Sequence, residues 1–284
     1  MRNNTTAVAD RLGILPEYRS AFLNMSMNEE EHKYIVPGVG EELESVTTKI
    51  ARVYNKDFKK KNIEDTVQAY REGVEKYGHT KTKDGSEYFV VPCEDIDGID
   101  EVALGVVKKN LEWYGTRGTN IHTAIETHDI NGEYGSYVKA IDAWFDSHDH
   151  VGELLAHEVM IYHPTGKYAG TIDGVGVGPD GGLIIWDYKS GNKYPDHLIQ
   201  LGGYASALTA LTGKEVKRGY VCYLKDYLRP PKTGVYLGGP GLKERSTAAC
   251  QTCVVEGLGK GGKNVEVWSW ILGLDDWKRS KPWE

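Results

Sequence analysis

The sequence is short of cysteine and of long apolar runs. It contains only four cysteines among 284 residues, too few for a disulfide-rich scaffold. No apolar stretch approaches the roughly 18 residues that a membrane-spanning helix needs. The N-terminus has no apolar segment followed by a small-residue cleavage site, so we expect no secretory signal. These absences predict a cytoplasmic protein with no membrane partner, stabilised by a hydrophobic core rather than by disulfides.

An excess of positive charge is also missing, because the formal net charge is -7. Phosphate binding relies on Lys and Arg, so the composition disfavours a protein that coats nucleic acid nonspecifically. DNA contacts only a patch of a protein surface, however, and enzymes that cut DNA need carboxylates to hold a metal ion. The composition is therefore compatible with an acidic nuclease.

The pattern of apolar residues divides the chain near residue 105. We predict that residues 1–105 form an N-terminal extension packed on a core. The extension would contain a polar arm at residues 1–30, the start of a helix and a hairpin. We predict that residues 106–284 form the core itself. Its expected elements are two helices within 117–145, strands at 154–162, 168–177 and 182–189, a helix at 196–213, a strand at 217–224, a long Gly- and Lys-rich loop at 228–262, and a last strand at 264–270. Three successive strands followed by a crossover helix and another strand predict an α/β fold, with a central mixed sheet flanked by helices.

The stretch GTIDGVGVGPDGGLIIWDYKSG contains the residues most typical of an active site. Asp187 and Lys189 are two positions apart on a predicted strand, so their side chains project to the same face. A tight turn would bring Asp173, on the preceding strand, beside them. An isolated Asp-x-Lys is most often a surface ion pair. Here the apolar run Leu-Ile-Ile-Trp leads into it, which predicts a buried strand ending in polar residues, where α/β sheets tend to place sites.

Two carboxylates and an ammonium form the set that phosphodiester hydrolysis needs. Carboxylate oxygens bind a hard divalent cation such as Mg²⁺, which polarises a phosphoryl oxygen and makes water more acidic. The lysine either orients that water or offsets charge in the transition state. The residues alone leave both roles open.

Four segments, in this order, resemble the RecB-type branch of the PD-(D/E)xK nuclease superfamily: RGTNIHTAIE, GTIDG, DYKSG and QLGGY. The similarity covers roughly residues 106–225. A further segment, SVTT at 45–48, resembles phage exonucleases and mitochondrial genome maintenance exonucleases. The resemblance implies a restriction-endonuclease-like core and a Mg²⁺- or Mn²⁺-dependent deoxyribonuclease. It also implies an exonuclease that degrades DNA from free ends, with single-stranded ends preferred.

The same resemblance assigns roles to individual residues. It implies that Asp173, Asp187 and Lys189 are catalytic, and that His122 joins the two aspartates in holding the metal ion. Oxygen ligands with one imidazole suit Mg²⁺ or Mn²⁺ better than a structural zinc.

Four more residues are candidates for supporting the site. Gln200 and Tyr204 lie one turn apart on a predicted helix and match the helix that supports the site and approaches DNA. Glu158, on the strand before the GTIDG strand, either adds a metal carboxylate through water or forms a structural ion pair. Glu126 follows the histidine by one helical turn, and either orients it or faces solvent.

The cysteines bear on one alternative. Some RecB-type nucleases, including CRISPR adaptation nucleases, carry an iron–sulfur cluster with one cysteine before the core and three after it. Cys93 precedes the core, but only Cys250 and Cys253 follow it, and Cys222 lies in an apolar strand. We therefore expect no cluster. The alternatives are a CRISPR-associated or recombination end-trimming nuclease, a catalytically idle DNA-binding relative, and a sequence-specific restriction endonuclease.

Overall fold

The structure, a computed structural model, describes most of the chain. The described residues are 4–28, 31–53, 71–83, 86–90, 96–146, 152–190, 194–225, 249–256 and 268–272. The chain divides into two compact units. The first comprises Met1–Asn55, Ile121–Lys225 and Thr247–Glu284, and the second comprises Lys56–Asn120 and Asp226–Ser246. This division differs from the predicted boundary at residue 105, because the N-terminal residues belong to the same unit as the predicted catalytic strands.

The first unit contains most of the helices and strands that the structure describes. Its helices are α1 (Thr6–Leu12), α2 (Pro16–Leu23), α3 (Val46–Val53), α5 (Gly135–Asp146) and α6 (Pro195–Thr212). Its strands are β1 (Ser26–Asn28), β2 (Lys33–Val36), β3 (Gly40–Ser45), β6 (Glu153–His163), β7 (Tyr168–Val177), β8 (Leu183–Lys189), β9 (Val216–Lys225) and β10 (Ala249–Glu256). Residues 268–272 add a short helix.

The second unit is built around one long helix and one hairpin. Helix α4 (Ile96–Glu126) lies in it up to residue 120, and its last residues, 121–126, belong to the first unit. Strands β4 (His79–Lys83) and β5 (Ser86–Val90) pair antiparallel, which confirms the predicted hairpin. Residues 71–77 are helical.

The sheet of the first unit is mixed, as predicted. Its strand order is β1-β2-β3-β7-β8-β9-β10, and β6 pairs with β7. The pairs β3–β7 and β8–β9 are parallel, and the other pairs are antiparallel. Helix α6 makes the crossover between the parallel strands β8 and β9, and helices pack on the sheet. The α/β class and the central mixed sheet are therefore confirmed.

Strand β7 has an unusual pairing that determines where polar groups gather. It pairs with β6 along its whole length on one edge. On the other edge it pairs with β3 at Tyr168 and Ala169, and with β8 from Gly174 to Val177. On this second edge of β7, β3 therefore pairs before Asp173 and β8 pairs after it.

Helix α6 covers one face of the sheet. Pro195 starts it, and Gly213, with φ +67°, ends it in the left-handed conformation that glycine adopts without strain. Its apolar residues Leu201, Leu208 and Leu211 are fully buried. On the opposite face, a separate cluster joins α5 to the even-numbered residues of β8, including Trp186. Strand β8 is therefore buried on both sides, which explains its continuous apolar sequence.

Three predictions outside the core strands were wrong. The predicted polar arm forms α1 and α2, whose residues Leu12 and Phe22 are fully buried. The predicted loop at 228–262 contains β10, which pairs with β9 along its whole length. In the predicted strand at 264–270, residues 268–272 are helical, and the buried Trp268 stacks edge-on against Tyr168 with ring centroids 4.9 Å apart. In each case packing or strand pairing with a distant segment outweighs the local pattern.

Among the described residues, no helix combines the length and the apolar character that crossing a lipid bilayer requires.

Candidate active site

The end of strand β8 carries two of the predicted residues in direct contact. Lys189 Nζ lies 2.6 Å from Asp187 Oδ2, as expected for side chains two positions apart on a strand. Asp187 is only 2% exposed, because the strand before it is buried on both faces. At this buried oxygen, the partner that the described residues supply is the Lys189 ammonium.

Asp173 lies beside this pair on β7. Its Oδ2 accepts a hydrogen bond of 2.6 Å from the backbone N–H of Tyr188, the residue between the aspartate and the lysine of β8. The Asp173 side chain thus accepts a hydrogen bond from the backbone of β8, just beyond the point where the backbone pairing of β7 with β8 ends. This hydrogen bond holds Asp173 next to the segment of β8 that carries Asp187.

His122 and Glu158 complete the group. The Nδ1 atom of His122, near the C-terminal end of α4, lies 3.5 Å from Asp173 Oδ1 and 3.7 Å from Glu158 Oε1. One ligand atom from each of the three residues lies within 4.8 Å of the others. The Glu158 side chain is 7% exposed, so its charge is largely removed from water.

Glu158 reaches this position through a strained backbone. Its φ is +47°, a left-handed conformation that is uncommon for residues other than glycine and more so inside a strand. Its two neighbours on β6 pair with the two neighbours of Asp173 on β7, so Glu158 lies opposite that aspartate. Strain of this kind persists where the surrounding structure enforces it, and it concentrates at functional sites.

Gln200 and Tyr204 connect α6 to the site. The Gln200 side chain amide donates to Asp187 Oδ1 at 3.2 Å and to the Tyr204 hydroxyl at 2.7 Å. The tyrosine ring lies over β7 at Gly170, where a Cβ atom would come within 2.5 Å of the ring. The first glycine of the GTIDG segment therefore makes room for the helix residue that supports Asp187.

The pKa values follow from burial and from the close charges. Burial lowers the pKa of His122, but Asp173 and Glu158 outweigh it and raise the pKa to about 10. Burial raises the pKa of Asp187 to about 6, although Lys189 opposes the shift. For Asp173, burial is outweighed by His122, Lys189 and the Tyr188 N–H, and its pKa lies below the usual value. Burial would lower the pKa of Lys189, but the two aspartates raise it.

The buried cluster of candidate site residues contains more negative than positive charge. Its acids are Asp173, Asp187 and Glu158, and its cationic groups are protonated His122 and Lys189. The proton on His122 offsets the carboxylates that face it. A divalent cation offsets them better, and an imidazole nitrogen with carboxylate oxygens is a donor set that Mg²⁺ or Mn²⁺ accepts. The residues present therefore fit a metal ion.

The remaining predicted residues are placed as follows. Glu126 is exposed and, within the described part of the chain, forms no hydrogen bond or ion pair with His122. The carboxylates that face the histidine are Glu158 and Asp173. Cys222 is fully buried in β9. Cys93 lies outside the described residues, and only the backbone of β10, which carries the last two cysteines, is described.

Two features of the site have little sequence signal. The Tyr188 backbone donor can be found only from the pairing of β7 and β8. A hydrogen bond of 3.0 Å between Tyr34, on β2, and Thr171, on β7, brings an N-terminal strand to the same edge of β7.

Comparison of the chain with known protein families and with curated proteins finds no match.

Proposed function

We propose that this protein is a Mg²⁺- or Mn²⁺-dependent deoxyribonuclease with a PD-(D/E)xK core of the RecB type. The observation that carries the proposal is the meeting of Asp173, Asp187 and Lys189, with His122 and Glu158, where the middle of β7 lies beside the end of β8. Four of these five residues were selected by the ordered sequence segments, and His122 and Glu158 join the hairpin of β7 and β8 from other elements, α4 and β6. Their convergence supports a catalytic group over a surface ion pair.

Each residue has a role in this proposal. His122, Glu158, Asp173 and Asp187 would hold the metal ion, which supplies Lewis-acid polarisation of the phosphoryl group and a more acidic water. Gln200 fixes the orientation of Asp187 by donating to its Oδ1, leaving Oδ2 for the cation and for Lys189.

The Lys189 ammonium lies close to the metal-binding carboxylates. It orients the attacking water or offsets charge that develops on the phosphoryl group. Since the lysine shares a strand face with Asp187, a phosphate bound at the metal would also be within reach of the ammonium.

The primary test measures cleavage of end-labelled single- and double-stranded DNA with Mg²⁺, with Mn²⁺ and with excess chelator. We expect metal-dependent cleavage that Asp187→Asn and Lys189→Ala each abolish while the far-ultraviolet circular dichroism stays that of the wild type. Matched controls are Asp180→Asn and Lys217→Ala, exposed side chains of the same types near the other end of β8. Full activity of either site variant, or of the wild type in chelator, would refute the proposal.

The substrate we propose is DNA with free ends, single-stranded ends being preferred. This part rests on the resemblance to RecB-type exonucleases. A basic run at residues 56–61 and all of the predicted loop at 228–262 except residues 249–256 lie outside the described residues. The assay compares a covalently closed circle with the same DNA linearised. We expect only the linear form to be degraded, and equal rates on both would indicate an endonuclease.

A further inference from the structure

A buried asparagine connects the N-terminal helices to strand β6. The side-chain amide of Asn4 donates one hydrogen bond of 2.8 Å to the backbone carbonyl of Met160 and another of 2.9 Å to that of Phe22, in α2. Asn4 is only 8% exposed, and the two residues that it binds are almost fully buried. Its amide therefore satisfies two carbonyls inside the core, where losing a hydrogen bond leaves the acceptor without a partner.

A second N-terminal side chain binds another carbonyl of β6. Arg11 Nη1, on α1, donates a hydrogen bond of 3.2 Å to the backbone carbonyl of Leu155, at the point where the register between β6 and β7 shifts. Among the described strands, β7 is the only one that pairs with β6. The N-terminal segment thus gives β6 two contacts in addition to its strand partner. Glu158 lies between the two carbonyls that Asn4 and Arg11 bind.

The backbone of Glu158 needs contacts of this kind. Its φ of +47° is unfavourable for a residue other than glycine, and such a conformation persists only where the surrounding structure enforces it. Pairing with β7 fixes the two neighbours of the glutamate. Backbone φ sets the direction of the side chain, so a return to ordinary strand geometry would change the contact with His122, whose Nδ1 lies 3.7 Å from Glu158 Oε1.

We propose that Asn4 and Arg11 are positioning residues that hold β6 in the backbone conformation that turns Glu158 toward His122. Both act through the glutamate and neither touches the metal ion or the DNA. A consequence is that the N-terminal segment, through these two side chains, raises the affinity of the site for a divalent cation. This consequence rests on the proposed function, since it needs a metal ion beside Glu158, whereas the effect on the backbone does not.

The first test measures the Kd for Mn²⁺ by electron paramagnetic resonance of the free ion. We expect the double variant Asn4→Ala/Arg11→Ala to raise this Kd on the order of tenfold, as loss of an outer contact that orients a ligand does. In a Glu158→Gly background the same two substitutions should change the Kd little, because the carboxylate that they position is absent. An unchanged Kd in the double variant, or an equal rise in both backgrounds, overturns the metal-binding consequence.

Tyr162→Phe is the matched control. The Tyr162 hydroxyl donates to the backbone carbonyl of Tyr18 at 3.3 Å, so this variant also loses a hydrogen bond between β6 and the N-terminal segment. That bond lies outside the stretch of β6 between Leu155 and Met160. The control should keep the wild-type Kd, and a rise equal to that of the double variant would show that any loosening of the segment weakens the site.

A second measurement tests the backbone effect on the metal-free protein. In the wild-type background, Glu158→Gly should have an unfolding equilibrium constant about fivefold smaller than Glu158→Ala, because glycine adopts the left-handed conformation freely. In an Asn4→Ala background, or with Arg11→Ala added where that protein folds, this glycine preference should largely disappear. A preference that is absent from the wild-type background, or equal in both backgrounds, overturns the role of Asn4 and Arg11.

The two measurements separate this inference from the proposed function. A protein that shows the background-dependent glycine preference but binds no Mn²⁺ supports the role of Asn4 and Arg11 and refutes the proposed metal site. One that also binds Mn²⁺ with the expected dependence on Asn4 and Glu158, yet does not cut DNA, refutes the nuclease alone.

Discussion

The strained backbone at Glu158 allows a test that compares two substitutions at one position. A residue other than glycine in the left-handed region costs roughly 1–2 kcal/mol, and glycine avoids this cost. Glu158→Gly and Glu158→Ala both remove the same carboxylate, so the loss of its charge and of its contact with His122 cancels between them. The difference in unfolding free energy that remains between the two variants reflects the preference for glycine over alanine at a backbone φ of +47°.

We expect the glycine variant to be more stable than the alanine variant by about 1 kcal/mol. At an ordinary strand position the order is the reverse, because glycine there is roughly 0.5–1 kcal/mol less favourable than alanine. The neighbouring His157 provides the matched control, since it lies on the same strand outside the left-handed region. At position 157 alanine should therefore be the more stable of the two.

The measurement is urea unfolding of the metal-free proteins, followed by circular dichroism. In a thermal scan, the same difference corresponds to about 2–4 °C. Equal stability of the two variants at position 158, or a more stable alanine variant, would refute the argument that the backbone is strained there. Both variants should bind Mn²⁺ more weakly than the wild type, because both lack the carboxylate beside His122.

Three further predictions concern the metal ion, the packing of β7 and the cysteines. Excess Mg²⁺ or Mn²⁺ should raise the Tm by several degrees in the wild type but not in Asp173→Asn, as thermal scans will measure, since a ligand that binds the folded state stabilises it. Gly174→Ala should destabilise the protein by about 3 kcal/mol in urea unfolding, because its Cβ would lie 2.0 Å from the Trp186 ring, whereas Gly115→Ala, which meets open space, should not. Purified protein should contain no stoichiometric iron by metal analysis, and a brown preparation with iron would show that the cysteines bind a cluster.

The core strands and the grouping of the candidate site residues could be predicted because their signals are local. The hairpin of β7 and β8 follows from two apolar runs around a Gly-Pro-Asp-Gly turn. The shared face of Asp187 and Lys189 follows from the two-residue repeat of a strand. The helix before Gly213 was predicted from its apolar spacing, and its Gln200 and Tyr204 do contact each other and Asp187.

Predictions failed where the structure depends on a distant partner. The segment ACQTCVVE lies in a Gly- and Lys-rich region and was predicted as loop, yet it adds β10 to the edge of β9. The pattern NVEVWSW favours a strand, yet residues 268–272 are helical and Trp268 packs against Tyr168. Neither partner is near in the sequence, so the local pattern contains no information about the contact.

The sequence by itself determined which residues are chemically suited to a metal site, because carboxylates, imidazole and ammonium occur at spacings that strands and helices convert into shared faces. Only the tertiary structure decided how they combine. It placed Glu158, rather than Glu126, against His122, through a backbone conformation that no spacing predicts. It also bound the first turn of α6 to β9 through the hydrogen bond between His197 and Tyr223. These relations depend on strand register and helix packing between segments far apart in the chain, which residue type and local periodicity do not specify.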